Sequence, residues 1–162
     1  YLRNTIKETK RISANLRPTI LDDLGLLATI TWFCREFQAF YPGIRVEEKI
    51  EIREEDIDDA IKIVIYRILQ EAMNNAATHG APGLIRLHLG KNQNRIELTV
   101  IDDGQGFDPD DRRYGTDPMS GTGLQGMRER ANVCGGEFEI RSQPGAGTQI
   151  HVRLPQPPHH EC

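Results

Sequence analysis

The stretch Arg67-Ile-Leu-Gln-Glu-Ala-Met-Asn-Asn-Ala-Ala-Thr-His79 decides how this chain is read. It continues an apolar stripe, Ile57, Ile61, Val64, Ile68, Ala72 and Ala76, that predicts one long helix over about 56–79, ended by Gly80 and Pro82. Two polar residues, Glu71 and Asn75, interrupt the otherwise apolar run from Ile68 to Ala77. They stand one turn apart, so both project from one face, and His79 follows a further turn on. Magnesium prefers oxygen ligands, keeps most of its waters and leans on substrate phosphates, so an asparagine amide would suit it. A carboxylate beside it can orient or deprotonate an attacking group. The bland alternative for the same face is a solvated helix edge.

Two amphipathic helices precede this one. Leu2, Ile6, Thr9, Ser13 and Leu16 follow heptad spacing, and that helix should stop near Arg17, before Pro18. Asp22-Asp23 offers a cap for the next, whose stripe is Leu26, Ile30, Phe33, Phe37 and Phe40 and whose stop is Pro42-Gly43. Ile44 to Ile52 reads as a strand with Ile44, Val46, Ile50 and Ile52 on one face. The acidic run Glu54 to Asp59 closes an island, residues 45–59, that holds eight acids and three bases. Acids in that place complement the positive end of the following helix.

After the long helix, Leu84 to Leu89 and Ile96 to Ile101 read as two strands of a hairpin turning at Lys91 to Asn94. Residues 103–122 are rich in Gly, Pro and acids and read as a long loop, the kind that is functional or disordered. Its part 108–120 is expected to be mobile alone and more ordered around a magnesium-nucleotide. A helix over about 123–134 and strands at 136–142 and 148–154 complete the pattern, with a turn at Pro144 to Gly147 and a disordered tail from Pro155 to Cys162. Hairpins with few crossovers predict an α+β fold, a mixed sheet covered on one face by helices.

Two glycine-rich segments add chemistry. Asp102-Asp103-Gly104-Gln105-Gly106 ends a strand. Its glycines let a ligand approach the backbone, and a fixed carboxylate there could accept from an exocyclic amine such as adenine's. An Asp-Gly turn is the alternative. Gly121-Thr122-Gly123-Leu124-Gln125-Gly126 matches G-x-G-x-x-G, but a loop precedes it where a dinucleotide fingerprint needs a strand. Its glycines still open a helix whose free N–H groups can cradle phosphate, and Thr122 with Gln125 makes a capping box. An ordinary capped helix is the alternative there.

The whole chain has 162 residues, 38% hydrophobic and 27% charged, with net charge −4. That is the composition of a globular protein, and it excludes a nucleic-acid binder that relies on bulk positive charge. The longest apolar stretch, Gly25 to Cys34, is too short to span a bilayer, and no signal-peptide pattern opens the chain. Three well-separated cysteines, Cys34, Cys134 and Cys162, argue against a disulfide scaffold and for a reducing, cytoplasmic setting. Cys34 and Cys134 fall in helical patterns as packing thiols. His159-His160-Glu161-Cys162 is too tightly spaced for a structural zinc site. Arg128 and Arg130 fit an exposed helix face better than a phosphate contact.

Four segments together resemble the catalytic region of bacterial sensor histidine kinases. Arg67 to His79 is similar to their N box, and Val100-Ile-Asp-Asp-Gly-Gln-Gly-Phe107 to their first glycine box. Gly121-Thr-Gly-Leu-Gln-Gly-Met-Arg-Glu-Arg-Ala131 resembles the second, and Pro144-Gly-Ala-Gly-Thr148 the last. Each match is weak alone; their order over residues 44–154 makes the set specific. Arg17-Pro-Thr-Ile-Leu-Asp-Asp-Leu-Gly-Leu26 further resembles the linker of the nitrate-sensor-type subfamily. The resemblance implies a Bergerat-type ATP-binding sandwich of the GHKL superfamily at 23–154, with the second dimerisation helix and linker at 1–22 and the tail at 155–162. It implies ATP and Mg2+ as ligands. Asn75 would coordinate magnesium, Glu71 would polarise the reacting group, and Asp102 would bond the adenine amine with Thr148 nearby. Gly104, Gly106, Gly121, Gly123 and Gly126 would shape the lid and phosphate loop, with Thr122 and Leu124 in the same nucleotide-binding set, and His79 would reach the phosphates. The implied partners are the dimerisation and phosphoacceptor helices of a homodimeric kinase and a response regulator. No nucleic acid is implied, and a membrane enters only through upstream segments. A stand-alone ATPase, a protein-serine kinase and a non-catalytic interaction module are the alternative classes.

Two departures from the family pattern matter. Many relatives carry Lys where this chain has Thr78. The family's phosphoacceptor is a histidine on the first dimerisation helix, whereas the histidines here are His79, His88, His151, His159 and His160. The sequence thus reads as a fragment, and the isolated chain is expected not to label itself with phosphate. Incubation with γ-labelled ATP checks this; acid-labile label on His79, His88 or His151 would contradict it.

Overall fold

The computed structural model describes residues 19–111 and 121–156, without the side chains of Gly121 and Thr122. The heptad stripe expected over 2–16, most of the expected lid and the last six tail residues lie outside them. Five strands form one mixed sheet in the order β1-β2-β3-β5-β4. They are β1 (Arg45–Glu51), β2 (Leu84–Asn92), β3 (Arg95–Asp102), β4 (Glu137–Ser142) and β5 (Thr148–Pro155). β1 and β2 run parallel, and the other described neighbours are antiparallel. The helices are α1 (described part 19–24), α2 (Leu26–Phe40), α3 (Asp59–Asn75) and α4 (Gly121–Val133).

Alternation along the strands places the core. Ile85, Leu87 and Leu89 of β2, Ile96, Leu98 and Val100 of β3, and Ile150, Val152 and Leu154 of β5 are all buried on one face. The buried sides of the helices meet them: Leu26, Ile30 and Phe33 from α2, Ile65, Leu69 and Met73 from α3, Met127 and Ala131 from α4. Phe33 meets Tyr66 edge-on at 5.9 Å between centroids, which joins α2 to α3. The opposite sheet face carries ion pairs instead. Arg86 reaches Glu47 at 3.2 Å, His88 lies 2.7 Å from Glu51, and Arg153 reaches Glu137 at 2.8 Å. This is the expected mixed sheet with helices on one face.

Several element limits differ from the sequence reading. Phe40 leaves the α2 stripe and is 45% exposed, because heptad spacing drifts by about 20° per repeat against a straight helix. β2 and β3 run on through Asn92 and from Arg95, which leaves a two-residue turn, Gln93-Asn94, with Gln93 left-handed at φ 54°. β5 includes Pro155, the first residue of the expected tail, and Gln156 after it is buried and donates its N–H to the Asn94 carbonyl at 3.2 Å. The long helix is three elements. A 3₁₀ turn at Glu54–Asp56 precedes α3, which is capped by the Asp58 carboxylate on the Ala60 N–H, and a π segment, Ala76–Gly80, follows it. Pro82 disfavours helical backbone at Ala81, which is left-handed at φ 45°.

The cap of α2 is also not where the sequence put it. Gly25, at φ 79°, is the N-cap residue and brings no side chain, so Asp22 and Asp23 do not cap this helix. Glu54 does so from 28 residues away: its carboxylate accepts from the N–H of Leu26 at 2.8 Å and of Leu27 at 2.9 Å. Lys62 completes the contact at 3.0 Å. A Cβ on Gly25 would stand 2.8 Å from that carboxylate, so glycine is required twice, for its backbone and for its space. Burial alone would raise the Glu54 carboxyl, but the Leu27 and Leu26 N–H groups and Lys62 outweigh it and hold it below the usual glutamate value.

Glu54→Ala should therefore lower stability by about 1 kcal/mol, and Glu54→Gln, which keeps one acceptor, by less. A group depressed in the folded state stabilises above its ordinary value and loses that contribution as pH falls through its folded value. The gap between Glu54 and its Gln variant should thus close in acid. Urea midpoints measured against pH check both; an unmoved midpoint for Glu54→Ala would remove this cap from the energetics.

Candidate nucleotide-binding site

A pocket opens between the C-terminal end of α3, the start of α4 and the ends of β3 and β5. Asn75, His79, Asp102, Gly106, Leu124 and Thr148 line it, together with Gln105 and Phe107. Residues from all four motifs, up to 76 positions apart in the chain, thus meet in one place. Ala72 of α3 and Ala76 of the π segment form its helical wall, and Val100 and Ile150 its sheet floor. Small side chains on the helix leave a flat apolar slot, and polar groups sit at its ends, the common form of a small-molecule site.

Glu71 is not a lining residue; it stands at the rim, under α4. A Cβ on Gly123 would overlap the Glu71 carboxylate and come 3.2 Å from the Asn75 amide. Gly123 is thus required to let α4 lie on the two polar residues of α3. Gly104 lies behind the pocket. Its N–H donates to the Asp102 carboxylate at 2.8 Å, and a Cβ there would overlap the Gly80 carbonyl. Gly126 is not brought to the lining, and an added Cβ would meet only Arg130, at 3.3 Å. Gly121 and Thr122 contribute the backbone that opens α4. Thr78 is exposed on the π segment and is no part of the lining.

The π segment matters to this arrangement. His79 would stack directly over Asn75 if α geometry continued; the wider turn instead brings His79 and Gly80 together to the mouth of the slot. Gln105 donates its N–H to the Gly80 carbonyl at 2.7 Å, which ties the first glycine loop to the helix end.

Asp102 and Asp103 are neighbours with different tasks. Asp103 is exposed and braces the start of β2, accepting from the N–H groups of Gly83 and Leu84 at 2.8 and 2.9 Å. Those contacts, the Leu84 N–H first, hold its carboxyl below the usual range. Asp102 is 8% exposed at the end of β3, opposite Thr148 of β5. Burial pushes its carboxyl above the usual aspartate value, the Gly104 N–H opposes this, the Asp103 charge adds to the rise, and the Thr148 N–H opposes it again.

The last glycine box supplies the turn behind the slot. Gly145 and Gly147 are left-handed at φ 82° and 74°, and Gly145 donates to the Gln105 carbonyl at 2.5 Å. Ser142, at the end of β4, accepts the Phe107 N–H at 2.9 Å and lies 2.8 Å from the Thr148 hydroxyl. Sequence reasoning missed Ser142, Gln105 and the two alanines as parts of the site. Phe107 could have been found as the end of the first glycine box; a lone serine before a turn carries no such signal.

Fold and site together define a nucleotide-binding ATPase domain, with a sheet and helices around a slot walled by glycine loops. The sequence pattern of the histidine kinase-, DNA gyrase B- and HSP90-like ATPases matches residues 60–158, and the chain belongs to that family. It is 36% identical over 151 residues to the oxygen sensor histidine kinase NreB of Staphylococcus carnosus, covering 93% of this chain and 42% of that protein. It is 30% identical over 154 residues to the signal transduction histidine-protein kinase/phosphatase DegS of Brevibacillus brevis, covering 95% and 38%. The chain thus spans about two fifths of the length of these relatives. Among solved structures, the histidine kinase domain of the blue-light activated histidine kinase of Erythrobacter litoralis EL346 has the same fold. Its TM-score is 0.65 at 18% identity, over 80% of this chain and 60% of that one. Among the described residues no helix is long and apolar enough to cross a membrane.

Because protonation turns Asp102 from an acceptor of two contacts into a weaker one, adenine-nucleotide affinity should fall in acid, at a higher pH than an ordinary aspartate would cause. Asp102→Asn should cost roughly 1–3 kcal/mol of ATP affinity, leave the fold intact and flatten that dependence. Calorimetric titration against pH reads all three. If ATP loses no more affinity than GTP, Asp102 does not read the base.

Proposed function

We propose that this chain is the catalytic, ATP-binding domain of a two-component sensor histidine kinase, with its catalytic domain at 23–154. It transfers the γ-phosphoryl group of ATP to a histidine on a dimerisation helix outside this chain, and a response regulator takes the group later. The observation that carries the reading is the convergence of Asn75, Asp102, Leu124 and Thr148 on one slot, with Glu71 and Asn75 packed together under Gly123. The assignment to the nitrate-sensor-type subfamily is supported by the similarity to NreB and by the linker-like residues 17–26. Within that segment Leu21 and Leu26 pack into the core.

The residues fit a magnesium-nucleotide. The donors at the rim are one amide and one carboxylate, and no group of three His, Cys, Asp or Glu side chains among the described residues could hold an ion alone. That donor set suits an ion carried largely by substrate phosphates, with Asn75 supplying the protein ligand. Bound magnesium would neutralise charge on the phosphates and orient them. The chain's own tasks are then positional and electrostatic. Asp102 and Thr148 hold the base, the α4 N-terminus offers N–H groups to the phosphates, and His79 stands at the mouth to meet them. Glu71, beside Asn75 under Gly123, is the carboxylate that can accept a proton from, or orient, the incoming imidazole. The kinase works as a homodimer with its catalytic part in the cytoplasm.

Asn75→Ala should lower magnesium-dependent ATP affinity about tenfold or more, the scale of a lost contact to a charged group, with little change in binding without magnesium. Calorimetry with and without the ion measures both. Unchanged magnesium-dependent binding would sink the site assignment.

A further inference from the structure

Ser142 sits at the centre of three contacts. The Phe107 N–H donates to its Oγ at 2.9 Å, the Gly147 carbonyl oxygen lies 3.0 Å away, and the Thr148 Oγ1 lies 2.8 Å away. A hydroxyl has one proton and two lone pairs. The Phe107 N–H can only donate, and the Gly147 carbonyl can only accept. All three contacts are made at once in one arrangement alone: Ser142 gives its proton to Gly147 and accepts from both Phe107 and Thr148. The proton of Thr148 is therefore turned away from the slot, and its lone pairs face into it. Asp102, its partner across β3 and β5, also presents an acceptor there.

We propose that Ser142 is a positioning residue that fixes Thr148 as an acceptor, so that the slot selects a purine bearing a 6-amino group over one bearing a 6-oxo group. The proposal rests on the nucleotide-binding reading above and deepens it. A 6-amino group offers two N–H donors to the two acceptors, directly or through a water. A 6-oxo group places a third acceptor against them and leaves a buried contact unmade. Ser142 touches no ligand in this arrangement; it acts through the hydroxyl of Thr148.

The test measures affinity for magnesium-ATP and magnesium-inosine triphosphate, the 6-oxo counterpart, by calorimetry. Ser142→Ala frees the Thr148 proton to swing toward the slot, so the ATP preference should shrink about fivefold, the worth of one neutral hydrogen bond. Ser142→Thr, which keeps the oxygen, should restore it. Thr148→Val should shrink the preference as well, and adding Ser142→Ala to that variant should change it no further, because the two residues act as a unit. Thermal melting checks the fold of each variant. If Ser142→Ala does not hold its fold, Ser142→Cys carries the same test, since a thiol is a poor acceptor. Equal loss of both affinities in Ser142→Ala, with the preference unmoved, would reduce Ser142 to a structural role and overturn the proposal alone. A preference that shifts equally in the Thr148→Val background would overturn it too. Failure of the unaltered chain to bind ATP would instead remove the nucleotide reading, and this inference with it.

Discussion

At the end of β3 three backbones are pressed together with no room for a side chain between them. Gly104 lies on the carbonyl of Gly80, Gly147 on the carbonyl of Asp102, and Gly106 on that of Gln143. Burying the Asp102 carboxylate is costly unless hydrogen bonds meet it, and this packing delivers the Gly104 N–H to it. The same close approach sets where α3 must end, where the first glycine loop turns, and how near the last glycine box comes to the slot. A methyl group on any of the three glycines would separate the segments whose meeting makes the site.

What could be read beforehand was whatever repeats along the chain or recurs as a compact motif. The periodicity of α3 and the alternation of β2, β3 and β5 report burial directly, so the sheet and its helical cover were legible. Glu71 and Asn75 were legible because polar residues in an apolar run need a reason, and Asp102 because it ends a strand beside glycines. What escaped depends on contacts between distant residues. Glu54 looks like a dipole partner for the helix after it, yet its carboxylate serves the helix before it, and no local pattern encodes a bond across 28 positions. The π end of the long helix is likewise held by contacts of Gly80 with Gln105 and Gly104, which no helix propensity encodes. Ser142 became visible only once β4 and β5 were paired, which sets it beside Thr148.

The sheet's two outer strands are protected by different means. An unpaired edge invites pairing with another chain. On β1, Gln38 of α2 accepts the Val46 N–H at 2.9 Å, so a helix side chain occupies part of that edge. On β4, Glu137, Glu139 and Arg141 place charge along the strand and pair with Arg95, Arg153 and each other. Each exposed pair contributes little to stability on its own. Their collective effect is on solubility, since they hold water over a sheet face that no described helix covers.

The π segment also sets a rule of length. Between Asn75 and β2 the chain must fit a wide turn, a left-handed Ala81 and Pro82 before Arg45 can pair with Leu84. Deleting one residue from Ala76–Gly80 would return the turn to α geometry and swing Gly80 by about 100°, the rotation of a single helical residue. The Gly80 carbonyl would then leave the Gln105 N–H, and the loop carrying Asp102 would lose its anchor. A substitution at exposed Thr78 can be absorbed, but insertions and deletions in the segment cannot. Among relatives that keep the slot, this stretch should stay constant in count.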